Sequence, residues 1–296
     1  MRIKIRAYID IALAMFISGS AVVVSKMMVS SLPTFLATEL GILIGMLILL
    51  PLTFLIKKES WKLDLNTHVV LFAQALCGVF LYRIFTFVGL KYTTAATSGL
   101  ITSGTPIIIV ILAYFILKEK MSIHKIIGTF CVVIGLLAIN LYTYFSKDAG
   151  YGSIKGNMLI MAAVLCEALF SILSKSKCKP LSALCRTTII VCYAFVLLIP
   201  FSIHDAIGYN FSGMEYKTIF CVVYYGVFVS FLSYILWFKG IEKVPASNAA
   251  VFTSVVPISS ILLSAIILRE NIYPLHIVSL IFIVFGIWIS CLDKEN

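Results

Sequence analysis

Three ionisable side chains lie inside long apolar runs: Glu39 in "FLATELG", Arg83 in "FLYRIFTF" and Glu167 in "VLCEALF". A guanidinium presents five N–H donors in a fork that fits a carboxylate, and a carboxylate in turn fits an ammonium. Arg83 on a substrate carboxylate, with Glu39 or Glu167 on an ammonium, would hold a small molecule bearing both charges. The carboxylate could carry a proton instead, which would couple movement of the molecule to a proton gradient. A second arrangement is open, in which Glu39 pairs with Arg83 and only ties two helices together. Depth allows it, because a rise of 1.5 Å per residue puts Glu39 about 9 Å and Arg83 about 12 Å below the outer ends of their spans, with Glu167 at about 21 Å.

Aromatic and amide groups accompany these charges: Gln74 and Tyr82 on the run that holds Arg83, and Tyr224, Tyr225, Tyr234 and Trp237 on one later run. Ring faces and hydroxyls can wrap an amphiphilic metabolite or a cation, and Tyr234 and Trp237 share a helix face at i, i+3. Aromatics in membrane helices also serve as core or lipid-facing surface. The substrate-binding set read from the sequence is Glu39, Arg83, Glu167, Tyr82, Tyr225, Tyr234 and Trp237.

What must position these residues is a stack of membrane helices. Of the 296 residues 61% are hydrophobic and 12% charged, more apolar surface than a water-soluble core can hide. Apolar stretches long enough to cross about 30 Å of hydrocarbon recur almost without gaps. They predict ten helices, near 8–29, 33–56, 67–91, 94–117, 122–144, 153–176, 181–203, 215–240, 246–268 and 273–292. No soluble domain fits between them, so any chemistry sits among the helices or at their ends.

With both termini on one side, the basic residues gather there, Arg186 among them. Lys26, Lys91, Lys147, Lys155, Lys217 and Arg269 fall on the other side, and Arg83 is left well inside the third span. That bias predicts cytoplasmic termini, and the net charge of +10 is mostly its consequence, with anionic lipid of the bilayer as the partner. Short separate basic loops give no stripe for nucleic acid. Nucleophile elbows, H-E-x-x-H, C-x-x-C and nucleotide-binding loops are absent from the sequence, so no enzyme and no cofactor is expected. Movement of a substrate would draw on a gradient or on exchange.

"GLKYTTAATSGLITSGTPIIIVILAYFILKEK" from residue 89 aligns without gaps on "GIEKVPASNAAVFTSVVPISSILLSAIILREN" from residue 240, an offset of 151. Ala95, Gly99 and Ser103 match Ala246, Ala250 and Ser254, two small-residue stripes suited to close helix packing. Pro106 matches Pro257; each would free the carbonyl four residues earlier, on Thr102 and Thr253, and border a cavity with its bend. Glu119 matches Glu270, at helix ends where salt bridges or gate contacts fit. Two units of five helices follow, 1–145 and 153–292. Because five is odd, the second enters the membrane from the opposite side, the inverted repeat of alternating-access carriers.

The paired segments "AxxxGxxxS...P...L-K-E" and "AxxxAxxxS...P...L-R-E", with "FISGSAVVVSK" in the first span, resemble the EamA family of the drug/metabolite transporter superfamily. The resemblance covers nearly the whole chain. It implies a ten-helix inner-membrane carrier that exports amino acids, related metabolites or drugs through a central cavity. Where many members carry an arginine early in the second span, this chain has Glu39. The reading is therefore secondary transport of a small polar metabolite, an amino acid or a relative, outward across the cytoplasmic membrane. A cation or drug carrier is the first alternative, favoured by Glu39, Glu167 and the aromatics and opposed by Arg83; a structural or sensor membrane protein without flux is the second.

Overall fold

The protein is described here by a computed structural model covering residues 2–56, 63–146, 153–176, 181–211, 214–269 and 274–292. Among the described residues every regular element is a helix, as expected where hydrocarbon leaves backbone N–H and C=O groups no partner but each other. The first half of the chain forms α1 (Arg2–Met28), α2 (Thr34–Ile56), α3 (Leu65–Ala75), a π-helical stretch at Leu76–Leu81, α4 (Tyr82–Leu90), α5 (Ala95–Thr102), α6 (Thr105–Leu117) and α7 (Ile123–Ser146). The second half forms α8 (Ile154–Leu173), α9 (Ala183–Ile207), α10 (Tyr216–Tyr224), a π-helical stretch at Tyr225–Ser233, α11 (Tyr234–Ile241), α12 (Ala246–Phe252), α13 (Val255–Ile267) and α14 (Pro274–Cys291).

Among the described residues eight helical segments are long and apolar enough to cross a membrane, two of them running through the π stretches as Leu65–Leu90 and Tyr216–Ile241. Thr105–Leu117 and Ile123–Ala138 are apolar but shorter. The expected single helix at 94–117 is in fact two, with a turn at Ser103 and Gly104 between α5 and α6. Phe115, Phe130, Phe220 and Trp288 face outward, which suits lipid as the solvent. The start of α1 and the end of α14 lie on one face, because Asn248 donates from its amide nitrogen to the Tyr8 hydroxyl (3.0 Å) and to the Ser290 carbonyl (3.1 Å).

Local features recur between the halves. Lys118 and Arg269, both with φ 55°, end α6 and follow α13. A β-substituted residue tolerates that conformation only under tertiary constraint. The helix break after Thr102 has its counterpart at Thr253 and Ser254. The prolines act otherwise than as bends in a continuous helix. Pro106 sits in the first turn of α6, where a missing N–H costs nothing. The Thr102 carbonyl accepts from the Thr105 hydroxyl (2.7 Å), and the Thr253 carbonyl accepts from the Val256 amide (3.1 Å).

Helix pairs approach closely at glycine. A Cβ added to Gly286 on α14 would stand 2.6 Å from the Gly128 carbonyl of α7, and one added to Gly128 would stand 2.7 Å from the Gly286 carbonyl. Backbone faces backbone there, so neither side can yield. In lipid such contact supplies the association that apolar side chains alone do not. Gly286→Leu is therefore expected to lower stability by about 1–3 kcal/mol or more, read as a drop in melting temperature in detergent. Gly208→Ala is the control, since nothing lies within 4 Å of the added Cβ. Ala246 and Ala250 of the second small-residue stripe pack on Ile109, Ala113, Ala168 and Ile172 of α6 and α8.

Candidate functional site

Each π stretch widens its helix by about one residue per turn and so re-aims the side chains at its ends. Leu76–Leu81 delivers Tyr82 and Arg83; Tyr225–Ser233 begins with Tyr225 and is followed at once by Tyr234. α2 reaches this second stretch through glycines: a Cβ on Gly41 would lie 2.6 Å from the Tyr225 ring, and one on Gly226 would lie 2.8 Å from the Gly41 carbonyl.

The Arg83 guanidinium donates to the Thr38 hydroxyl (3.1 Å) and to the Tyr225 hydroxyl. Tyr82 and Tyr234 lie within electrostatic range of it, and Glu167 within range of Tyr82. The Glu167 carboxyl faces the hydroxyl of Thr105 at the start of α6. Arg83, Tyr82, Tyr225, Tyr234 and Glu167 thus come together from the first half and the second. Tyr225 is buried, whereas Arg83, Tyr82, Tyr234 and Glu167 all keep some exposure.

Glu39, next in the chain to Thr38, does not join this group. It is buried, at 6% exposure, and neither carboxylate oxygen has a hydrogen-bond partner. The pair with Arg83 that depth allowed is not formed. Successive helical residues point about 100° apart, so when Thr38 meets Arg83 its neighbour Glu39 must look elsewhere. Depth along a span carries no information about that angle.

Trp237 is not part of the cluster. It sits one turn beyond Tyr234 in a buried aromatic layer, stacked on Phe170 (6.3 Å between centroids), with its indole N–H directed to the Ser174 hydroxyl at 3.4 Å. Tyr234 meets the same Phe170 edge-on at 6.2 Å. Tyr224 donates to Ser20 (2.9 Å). The hydroxyls of Thr102 and Thr253 bond to their own helices, at Gly99 (3.0 Å) and Ala250 (2.7 Å).

Two residues matter more than the sequence indicated. Arg186, counted there with the basic residues of the terminal side, lies in the first turn of α9 and turns inward to Gln74, to the Leu173 carbonyl and to the Phe238 ring. The signal was present, because residue 186 already falls within the apolar span 181–203. Glu119 binds the start of α12, accepting from the amides of Ala246 (2.7 Å) and Ser247 (3.0 Å) and from the Ser247 hydroxyl (2.6 Å). It thereby joins the two halves on the face of the termini. Its counterpart Glu270 lies outside the described residues.

The arrangement can hold an anionic group on a guanidinium, a cation or proton on an unpartnered carboxyl, and apolar or aromatic surface between. Comparison with known proteins agrees with a transport role. The EamA-like transporter family matches the chain twice, at residues 5–141 and 154–292. An uncharacterized transporter of Bacillus subtilis (strain 168), YetK, is 39% identical over 290 residues, covering 98% of this chain and 88% of the relative. An uncharacterized transporter of Archaeoglobus fulgidus is 26% identical over 284 residues, 96% of this chain and 98% of the relative. A solved structure described as "Crystal structure of protein" superposes with a TM-score of 0.79 at 16% identity, covering 97% of both chains, which speaks to fold alone.

Proposed function

The chain belongs to the EamA-like transporter family, and from that premise we propose that it is a secondary carrier exporting an amino acid or a related zwitterionic metabolite across the cell membrane. In this reading ten helices form two five-helix halves, 1–145 and 153–292, inserted in opposite senses with both termini in the cytoplasm. Rocking one half on the other opens the space between them to either side in turn. Arg83 takes the carboxylate of the substrate, and Glu39 takes its ammonium or, in exchange, a proton. The tyrosines and Glu167 line the same space.

One observation carries the reading: Arg83 is held by neutral hydroxyls alone, one of them on Thr38, and the buried carboxyl of the next residue, Glu39, is held by nothing. A buried charge is retained when something compensates it, so the geometry suits a ligand that brings both opposite charges. The unpartnered carboxyl also supports a second reading, a carrier of organic cations.

Proteoliposomes with an acidic lumen decide between them. Labelled amino acids should accumulate, should do so only while the pH gradient lasts, and should outcompete amines that lack a carboxylate. Accumulation of the amines with no movement of any amino acid would leave the cation reading in place of this one.

A further inference from the structure

We propose that Arg186 is the pin of a gate that closes the face of the termini beneath the Arg83 cluster, so that opening this face requires one side chain to release three other helices. The inference rests on the carrier reading, since a carrier is what needs that face to open. Nε and Nη2 of Arg186 both donate to the Gln74 side-chain oxygen of α3, at 3.3 and 3.1 Å. Nη2 also reaches the Leu173 carbonyl at the end of α8 (3.1 Å), and the guanidinium lies 4.6 Å from the centroid of the Phe238 ring of α11. Gln74 closes the triangle by donating its own amide N–H to the same Leu173 carbonyl (3.2 Å). Helices α3, α8, α9 and α11 therefore converge on one guanidinium. Three of them belong to the second half and one to the first, so the pin spans the boundary at which the halves must part.

Exposure places the closure. Arg83, Tyr82, Tyr234 and Glu167 each retain some, whereas Trp237 falls to 4%, Phe238 to 2% and Gln74 to none. The buried Trp237, Phe238 and Gln74 thus stand at the Arg186 end of the cluster, while Phe170 and Arg186 itself stay partly exposed. Gln74 and Arg83 ride on the same segment nine residues apart, which sets the gate roughly 13 Å from the site. Lysine cannot replace the pin: a compact ammonium lacks the planar fork that serves Gln74 and Leu173 while stacking on a ring.

Hydrogen exchange on the full chain in lipid nanodiscs tests this without any substrate. In Arg186→Lys and in Gln74→Leu, amides at 65–75, 170–176 and 183–190 should exchange roughly tenfold faster than in the unmodified protein, as expected when a charge-assisted contact holding a local opening is lost. Amides of the opposite face, at 34–40 and 205–211, should keep their rates. Unchanged exchange at the terminal face in both variants would overturn the proposal. So would a rise shared by both faces, which would mark Arg186 as a general support of the fold. Failure to find any transported molecule bears instead on the carrier reading, because this measurement does not depend on one.

Discussion

Arg83→Gln is expected to abolish movement of carboxylate-bearing substrates, lowering initial rates in proteoliposomes by roughly 100-fold, the effect of removing one partner of a desolvated, hydrogen-bonded charge pair. The guanidinium uses two directions on Thr38 and Tyr225, which fix its plane, and keeps further donors for a ligand. Glutamine retains donors but neither the charge nor the fork. Arg83→Lys should fall between, because the charge stays while the bidentate geometry goes. Tyr225→Phe removes one of the two hydroxyls that hold the plane and should cost about tenfold, within the range for a hydrogen bond to a charged group. All three proteins should melt near the unmodified one, since Thr38 and Tyr225 keep other packing on α2. Amino-acid movement at the original rate in Arg83→Gln would end the assignment of Arg83 to the substrate.

Much of this fold was legible in the sequence, for a reason that particular residues show. Hydropathy reports which segments prefer lipid, and helix ends at Met28 and Leu90 lie within one residue of the limits it gave, while Ile207 ends its helix about a turn beyond. The offset of 151 also surfaced as backbone geometry, in the left-handed conformation shared by Lys118 and Arg269. What escaped was whatever depends on rotation about a helix axis or on one extra residue in a turn. The π stretches at Leu76 and Tyr225 have no composition of their own, yet they decide where Arg83, Tyr225 and Tyr234 point. Pro106 was visible, but whether it bends one helix or opens another depended on the turn at Ser103 and Gly104. Arg186 was visible too, but only as one of the basic residues of the terminal side, where charge near a span end ordinarily belongs. Its inward turn follows from acceptors on Gln74 and Leu173, residues distant in sequence.

The contrast between Arg83, held by hydroxyls, and the unpartnered Glu39 leads to the second large effect, on Glu39. An isolated ionised carboxylate costs several kcal/mol to bury even after relaxation, so a side chain at 6% exposure with both oxygens unpartnered is neutralised by a proton or by a bound cation. If the two compete for one carboxyl, each arriving ammonium displaces one proton, and exchange follows without any further device. Glu39→Gln keeps the shape and hydrogen-bonding capacity of a protonated carboxyl but can neither release a proton nor balance an ammonium. Accumulation driven by an acidic lumen is therefore expected to fall to background, a loss of at least about tenfold for one missing charge-assisted contact. Stability should change by no more than about 1 kcal/mol, because no existing hydrogen bond is broken. Glu167→Gln supplies the contrast: its carboxyl already faces the Thr105 hydroxyl, so the substitution perturbs a contact between α8 and α6 and should change melting temperature as well as rate. Gradient-driven accumulation that survives in Glu39→Gln would move the coupling group elsewhere, and a steep loss of melting temperature in that variant would show that the carboxyl supports the fold after all.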